Sequence, residues 1–164
     1  MKTCPDCSSR KLKTVQRDET AQLAFKYRNG QRTVSYVAQL PVLHCSACGA
    51  TFEQGADLER FELHVAQAAI GLGVPAGALL RYARKALGFK ATELAGILDV
   101  SAETISHWEN DRTEISSFAW VTLGDLVADR IAGVEFTLTR LAALRRPKLP
   151  SRRIKLTLAG AGRT

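Results

Sequence analysis

Apolar positions change period along the chain. Up to about residue 52 they fall in runs rich in β-branched and aromatic residues with partial alternation, "KLKTVQR", "LAFKYR", "QRTVSYVAQL" and "VLHC", which predict strands. Asn29-Gly30 between two such runs predicts a hairpin, because a type I′ turn needs positive φ at both central positions. From Asp57 the spacing lengthens: Leu58, Phe61, Val65 and Ala68 or Ala69 recur at three or four residues, which predicts an amphipathic exit helix. "GLGVP" at 71–75 breaks that pattern, with Pro75 placed to open the next helix at its first turn. "AGALLRYARKALG", "TELAGILD", "AETISHWEN" and "SSFAWVTLGDLVADRIAG" then predict four helices with very short connections, hence tightly packed neighbours. A further apolar-periodic piece, "FTLTRLAALRR", ends at Pro147, and "SRRIKLTLAG" after it reads as an edge strand or a disordered arm.

These elements predict an α+β chain: a small β-rich N-terminal domain with its exit helix at 1–72, an all-α domain at 73–133, and a C-terminal extension at 134–164. With 164 residues, 46% hydrophobic and 24% charged, the composition is that of a globular protein rather than a disordered tail. No run approaches the length of a membrane span, and "MKTCPDC" lacks the apolar core of a secretion signal, so a cytoplasmic protein without a membrane partner is expected.

Charge qualifies the picture, because the net +7 is strongly segregated. Residues 1–52 carry 8 Lys/Arg against 3 Asp/Glu, residues 53–139 carry 7 against 13, and residues 140–164 carry 8 against none. The basic character thus sits chiefly in the extension, which is the part of the chain best suited to attract a polyanion.

Four cysteines occur as two C-x2-C pairs, Cys4-Pro-Asp-Cys7 and Cys45-Ser-Ala-Cys48, separated by 37 residues. Two residues between thiolates let one tight turn aim both sulfurs at one ion, and two such turns complete a tetrahedral S4 shell. Gly49 fits a knuckle, since positive φ just after the second cysteine lets backbone N–H groups turn toward sulfur. The predicted hairpin spans the long interval and returns the chain to its start. Cys4, Cys7, Cys45 and Cys48 are therefore the expected ligands of one structural Zn²⁺, and a domain this small would draw much of its folding free energy from the metal. Two disulfides or a redox C-x-x-C are the competing readings. His44, beside Cys45, is assigned no role.

The stretch "VSAETISHWEND" at 100–111 has the pattern of a recognition helix. Ser101 is a good N-cap, Val100 and Ile105 form the hydrophobic staple, and Ile105 and Trp108 face inward together. Asp99 falls at the turn, where a left-handed residue is usual, and Ala95 is small enough for two helices to cross closely. Ala102, Glu103, Ser106, His107 and Asn110 are left on the wet face, Glu109 is read there too, and Thr104 joins the candidate DNA contacts. Lys90 and Thr92 at the preceding helix start, and Arg112 beyond the recognition helix, are candidate phosphate contacts. Arg145, Arg146, Lys148, Arg152, Arg153 and Lys155 form a possible DNA-contacting tail, the alternative being a solvated extension. A carboxylate accepts from cytosine N4 and an imidazole donates to guanine, so Glu103 and His107 are suited to choosing bases while other residues supply attraction.

"LGFKATELAGILDVSAETISHWEND" resembles the Xre/Cro class of helix-turn-helix, and the cysteine pairs followed by that module resemble the YgiT-type zinc finger/helix-turn-helix proteins, the MqsA antitoxin family. The resemblance spans about residues 1–132. It implies a zinc-dependent N-terminal domain that holds a cognate toxin, usually a small ribonuclease, and a helical domain that forms a homodimer and represses its own operon at a palindrome in double-stranded DNA. Ala91 stands where the family has glutamine, Lys90 where it has a Ser/Thr cap, and Glu103 and His107 where it has base-reading asparagine and arginine. The operator therefore does not carry over. The expected function is a type II antitoxin and autorepressor. The alternatives are a stand-alone zinc-containing regulator without a toxin, and a helix-turn-helix used only for dimerisation or protein binding. An enzyme is not expected, since no His/carboxylate cluster, phosphate loop or nucleophile arrangement accompanies the cysteines.

Overall fold

A computed structural model describes residues 2–27 and 30–147. Among them, strands β1 (Leu12–Tyr27), β2 (Gly30–Cys45) and β3 (Thr51–Glu53) form one antiparallel sheet in the order β1-β2-β3. Six helices follow: α1 (Gly55–Ile70), α2 (Gly77–Ala86), α3 (Ala91–Leu98), α4 (Ala102–Glu109), α5 (Ser117–Ala132) and α6 (Phe136–Arg145). The extension beyond Pro147, with Lys148, Arg152, Arg153, Lys155 and the segment "SRRIKLTLAG", lies outside the described residues.

The hairpin is longer and more regular than the sequence pattern implies. "KLKTVQR" and "LAFKYR" belong to one strand, because the polar Asp18–Thr20 interval stays in the ladder opposite Gln39, Ala38 and Val37. Pro41 does not end β2; it lies just past the last β2–β3 pair, Val42 with Glu53, where a proline removes no hydrogen bond on that side. The last β1–β2 pair is Tyr27 with Gly30. Gly30 therefore opens β2 instead of occupying the turn centre, a one-residue displacement from the Asn-Gly expectation, and the connecting Arg28 and Asn29 lie outside the described residues. At about 3.4 Å per residue the two 16-residue strands run roughly 50 Å.

Only the far half of that ribbon is anchored on the helices. Leu23 and Phe25 of β1 are 7% and 5% exposed and belong to the main core, and Ala21, Val34, Tyr36, Ala38 and Leu40 pack against it from the same face. The register makes this one face, since Ala21 pairs with Tyr36 and Leu23 with Val34. On β1 residues 13–18 are exposed, whereas Val42 on the paired part of β2 is 2% exposed, and this half of the ribbon carries the cysteines at its end.

The helical core is contiguous with this anchor. Leu79, Leu80, Leu94, Ile105, Leu123 and Val127 are essentially inaccessible, each burial contributing about 1.5–3 kcal/mol. α1 buries Phe61, Leu63, Val65, Ala66 and Ala69, packing on α2 and α5 as well as on β2. Its chain then turns through Gly73, whose φ of +67° closes the connection. Pro75 precedes the α2 cap, Ala76, rather than opening the first turn. The free N–H of Gly77 is taken instead by Asp111 Oδ1 at 2.7 Å, which ties the start of α2 to the end of α4.

Candidate DNA-recognition surface and cysteine centre

α3 and α4 meet through a tight turn built by local rules. Asp99 adopts φ 57°, ψ 44°, its N–H bonding Ala95, and Val100 N–H returns to the same carbonyl at 3.0 Å. Ser101 then caps α4, its hydroxyl accepting from Thr104 N–H at 3.0 Å. Val100 is half-buried over Ile105, which is fully buried. Ala95 is 3% exposed, which leaves room for the two helices to cross. At the start of α3 the side chain of Lys90 cannot accept a hydrogen bond, so the cap works in one direction: Glu93 Oε2 accepts Lys90 N–H at 2.7 Å. The ammonium of Lys90 is thereby left in solvent beside Thr92, which is also exposed.

On α4 the structure divides the expected wet face. Ala102, Glu103 and Ser106 are exposed, His107 is half-buried with its Nε2 3.7 Å from Glu103 Oε1, and Thr104 is half-buried against Ser101. Glu109 is turned inward, correcting its placement on the wet face. Its side chain is 8% exposed and meets Arg84 Nε at 2.6 Å and Arg81 Nε at 3.2 Å. The sequence alone does not reveal this, because the two arginines arrive from α2, more than twenty residues earlier in the chain. Asn110, although exposed, is occupied: its Nδ2 donates to Ser106 O at 2.7 Å and its Oδ1 accepts from Arg81 at 3.1 Å. Arg112 is exposed just beyond. Arg145 donates to the carbonyls of Gly96 and Ile97, the last turn of α3, where a cation also complements the helix dipole. Arg146 is exposed at the end of α6.

The cysteines converge at the other end of the molecule. Register brings them together: Cys45 pairs with Leu12, and Ser46 bonds Lys11 O through both its N–H and its hydroxyl, so the second knuckle lands beside the first. The two knuckles repeat one hydrogen-bond pattern. Cys4 N–H bonds Ser9 O and Ser8 N–H bonds Cys4 O, while Cys45 N–H bonds Ala50 O and Gly49 N–H bonds Cys45 O, all at 2.8 Å. Gly49 has φ +80°, as its position predicts, and Ser8 takes the equivalent left-handed conformation at φ 57°. Nothing in the residue type of Ser8 points to that role; its signal is that it follows Cys7 as Gly49 follows Cys48.

All four sulfurs lie within 4.8 Å of one another, Cys4 to Cys48 at 3.6 Å and Cys7 to Cys45 at 3.7 Å. A disulfide needs about 2.05 Å, and all four cysteines are free. A tetrahedron with metal–sulfur bonds of about 2.3 Å has edges of about 3.8 Å, close to both distances. The donor set, four thiols with Cys4 and Cys45 buried, therefore fits a soft divalent ion and can hold one. Electrostatics agree. Backbone N–H groups of Ala47 and Cys48 pull Cys45 down to about 6. Cys48 is favoured as a thiolate by the backbone at Ala50, yet Cys7, desolvation, Cys4 and Cys45 together push it up to about 12. The crowding thus favours one thiolate at Cys45 and holds a proton on Cys48 that a bound cation would displace.

Among the described residues no helix is long and apolar enough to cross a membrane. No curated protein and no solved structure compared with the chain is a significant match. Residues 80–121, running from Leu80 in α2 to Val121 in α5 and enclosing the α3–turn–α4 unit, match the helix-turn-helix family model, so this part of the chain is a helix-turn-helix domain of the Xre type, which implies DNA binding.

Proposed function

We propose that the chain is a cytoplasmic, zinc-bearing antitoxin that represses its own operon as a homodimer and neutralises a cognate toxin, a small ribonuclease, through its N-terminal domain. The observation that carries the regulatory half is the capped, buried-on-one-side α4, which presents Ala102, Glu103, Ser106 and His107 outward beside Lys90, Thr92 and Arg112. Two such helices, set about 34 Å apart by a dimer, would enter successive major grooves of a palindrome. Phe118 and Val121, adjacent on α5 and each 61% exposed, supply an apolar patch for the second copy. Zn²⁺ on Cys4, Cys7, Cys45 and Cys48 would supply a closed cross-link at the base of the hairpin, without an open position for chemistry.

The antitoxin half rests on the order of parts: a four-cysteine centre at the root of the hairpin, fused to the helix-turn-helix, as in the MqsA-type proteins. Its test is co-expression with the small reading frame adjoining the gene. Toxicity relieved by this chain, with a stable complex, supports it, and a harmless neighbour assigns the chain to a stand-alone regulator. The charge of residues 1–52, 8 Lys/Arg against 3 Asp/Glu, favours that second reading, because a basic surface is poorly matched to a basic ribonuclease.

A further inference from the structure

A groove of about 740 Å³ lies where the far end of the hairpin meets the end of α1 and the α1–α2 connection. Its walls are largely carbon, from Phe25, Val34, Ala68, Leu72 and Val74, and Leu72 is 55% exposed at its rim. Three polar residues of β2, Gln31, Arg32 and Tyr36, interrupt this lining. Tyr36 contributes a hydroxyl that is buried without a hydrogen-bond partner. Arg32 continues the same strand face, two and four residues from Val34 and Tyr36, where every second residue back to Leu40 is apolar or aromatic and packs on the core. Among the described residues no carboxylate pairs with Arg32, which is exposed beside the groove.

We infer that this groove binds a small amphipathic monocarboxylic acid, its hydrocarbon body against Phe25, Val34, Leu72 and Val74 and its carboxylate on Arg32. Charge complementarity selects the head group, since guanidinium forms a planar fork that matches carboxylate geometry. The carbon walls select the body, and the volume falls within the range of small-molecule sites. A neutral alcohol of equal length would gain the apolar contact but leave Arg32 without a partner. The site joins hairpin to helices, touching β1, β2, α1 and the connection to α2, and it involves neither the cysteine centre nor the recognition face.

The test is calorimetric titration of the full-length chain with decanoate and with decanol, both below their aggregation limits. Saturable 1:1 binding of decanoate, at least tenfold tighter than decanol, is expected. Arg32→Gln should erase that preference while leaving decanol binding unchanged. Ala68→Trp, from an exposed helix position that lines the groove, should abolish both, with circular dichroism and melting temperature preserved. If that variant misfolds, Leu72→Glu at the exposed rim should still weaken decanoate at least tenfold by setting a carboxylate against it. Absence of saturable decanoate binding, a carboxylate preference that survives Arg32→Gln, or tighter binding of an amidated apolar peptide than of decanoate would overturn the assignment.

Discussion

Arg84 grips Glu109 with two parallel hydrogen bonds, Nε to Oε1 at 2.6 Å and Nη2 to Oε2 at 3.3 Å, across the gap between α2 and the last turn of α4. The pair is dry, with side chains 12% and 8% exposed, and Arg84 spends its remaining fork on Phe89 O at 2.7 Å. Removing one partner of such a pair leaves an uncompensated charge, a loss of about 3–5 kcal/mol, whereas replacing both by apolar residues is often neutral. Glu109→Ala is therefore expected to lower stability by about 3 kcal/mol in urea titration, and Arg84→Met with Glu109→Leu to recover most of it. A loss below about 1 kcal/mol, the scale of exposed pairs, would show that water reaches the pair.

Gly77 opens α2 at a point where no side chain fits. A Cβ there would lie 2.3 Å from Trp108 O and 2.8 Å from both Asp111 Oδ1 and Glu109 C, and the nearest obstacle is backbone that cannot swing aside. Gly77→Ala should therefore destabilise by about 1–3 kcal/mol, the usual scale of overpacking, despite alanine's better helix propensity. Gly96→Ala, inside α3 with open space around its Cβ, is the control and should stabilise slightly. Equal melting temperatures for the two variants would refute the close approach.

What could be read from residues and what could not divides along the range of the interactions. The α3–α4 turn was legible because its parts are neighbours: Asp99 at the bend, Ser101 at the cap, Val100 over Ile105. So was the cysteine quartet, whose spacing within each pair is a local property. The hairpin's register was not, since the Tyr27–Gly30 pairing depends on the whole ladder and displaces the Asn-Gly signal by one residue. The pattern puts Glu109 on the wrong side because helical periodicity near a helix end cannot foresee two arginines arriving from α2. Asn110 and Arg145 carry the same lesson, as polar residues whose surface pattern conceals hydrogen bonds to distant elements.

Removal of metal should act on the hairpin's root. Purified protein is expected to contain one zinc per chain and to resist a thiol reagent until a strong chelator is added, after which all four cysteines react and strand signal is lost. The helices should outlast the knuckles, because the buried cluster of Leu79, Leu80, Leu94, Ile105 and Leu123 is built without them. Loss of zinc and of ellipticity measured together under chelator titration checks this. A folded, metal-free chain whose thiols react freely would contradict it.

Recognition and attraction should separate when DNA binding is measured against salt. Glu103 and His107 stand on the outward face of α4, where a carboxylate repels phosphate and an imidazole suits a base edge, so neither supplies the general attraction. His107→Ala is therefore expected to cost about 1–3 kcal/mol on the cognate palindrome and little on random DNA, leaving the salt slope unchanged. Lys90→Gln and Arg112→Gln should weaken both DNAs alike and lower the slope, because each neutralised phosphate releases counterions. Deleting residues 148–164 removes a further set of cations and should lower the slope more than either single change. If His107→Ala weakened random DNA as much as the palindrome, His107 would position the helix rather than read bases. A slope indifferent to the deletion would leave attraction to the cations flanking α3 and α4.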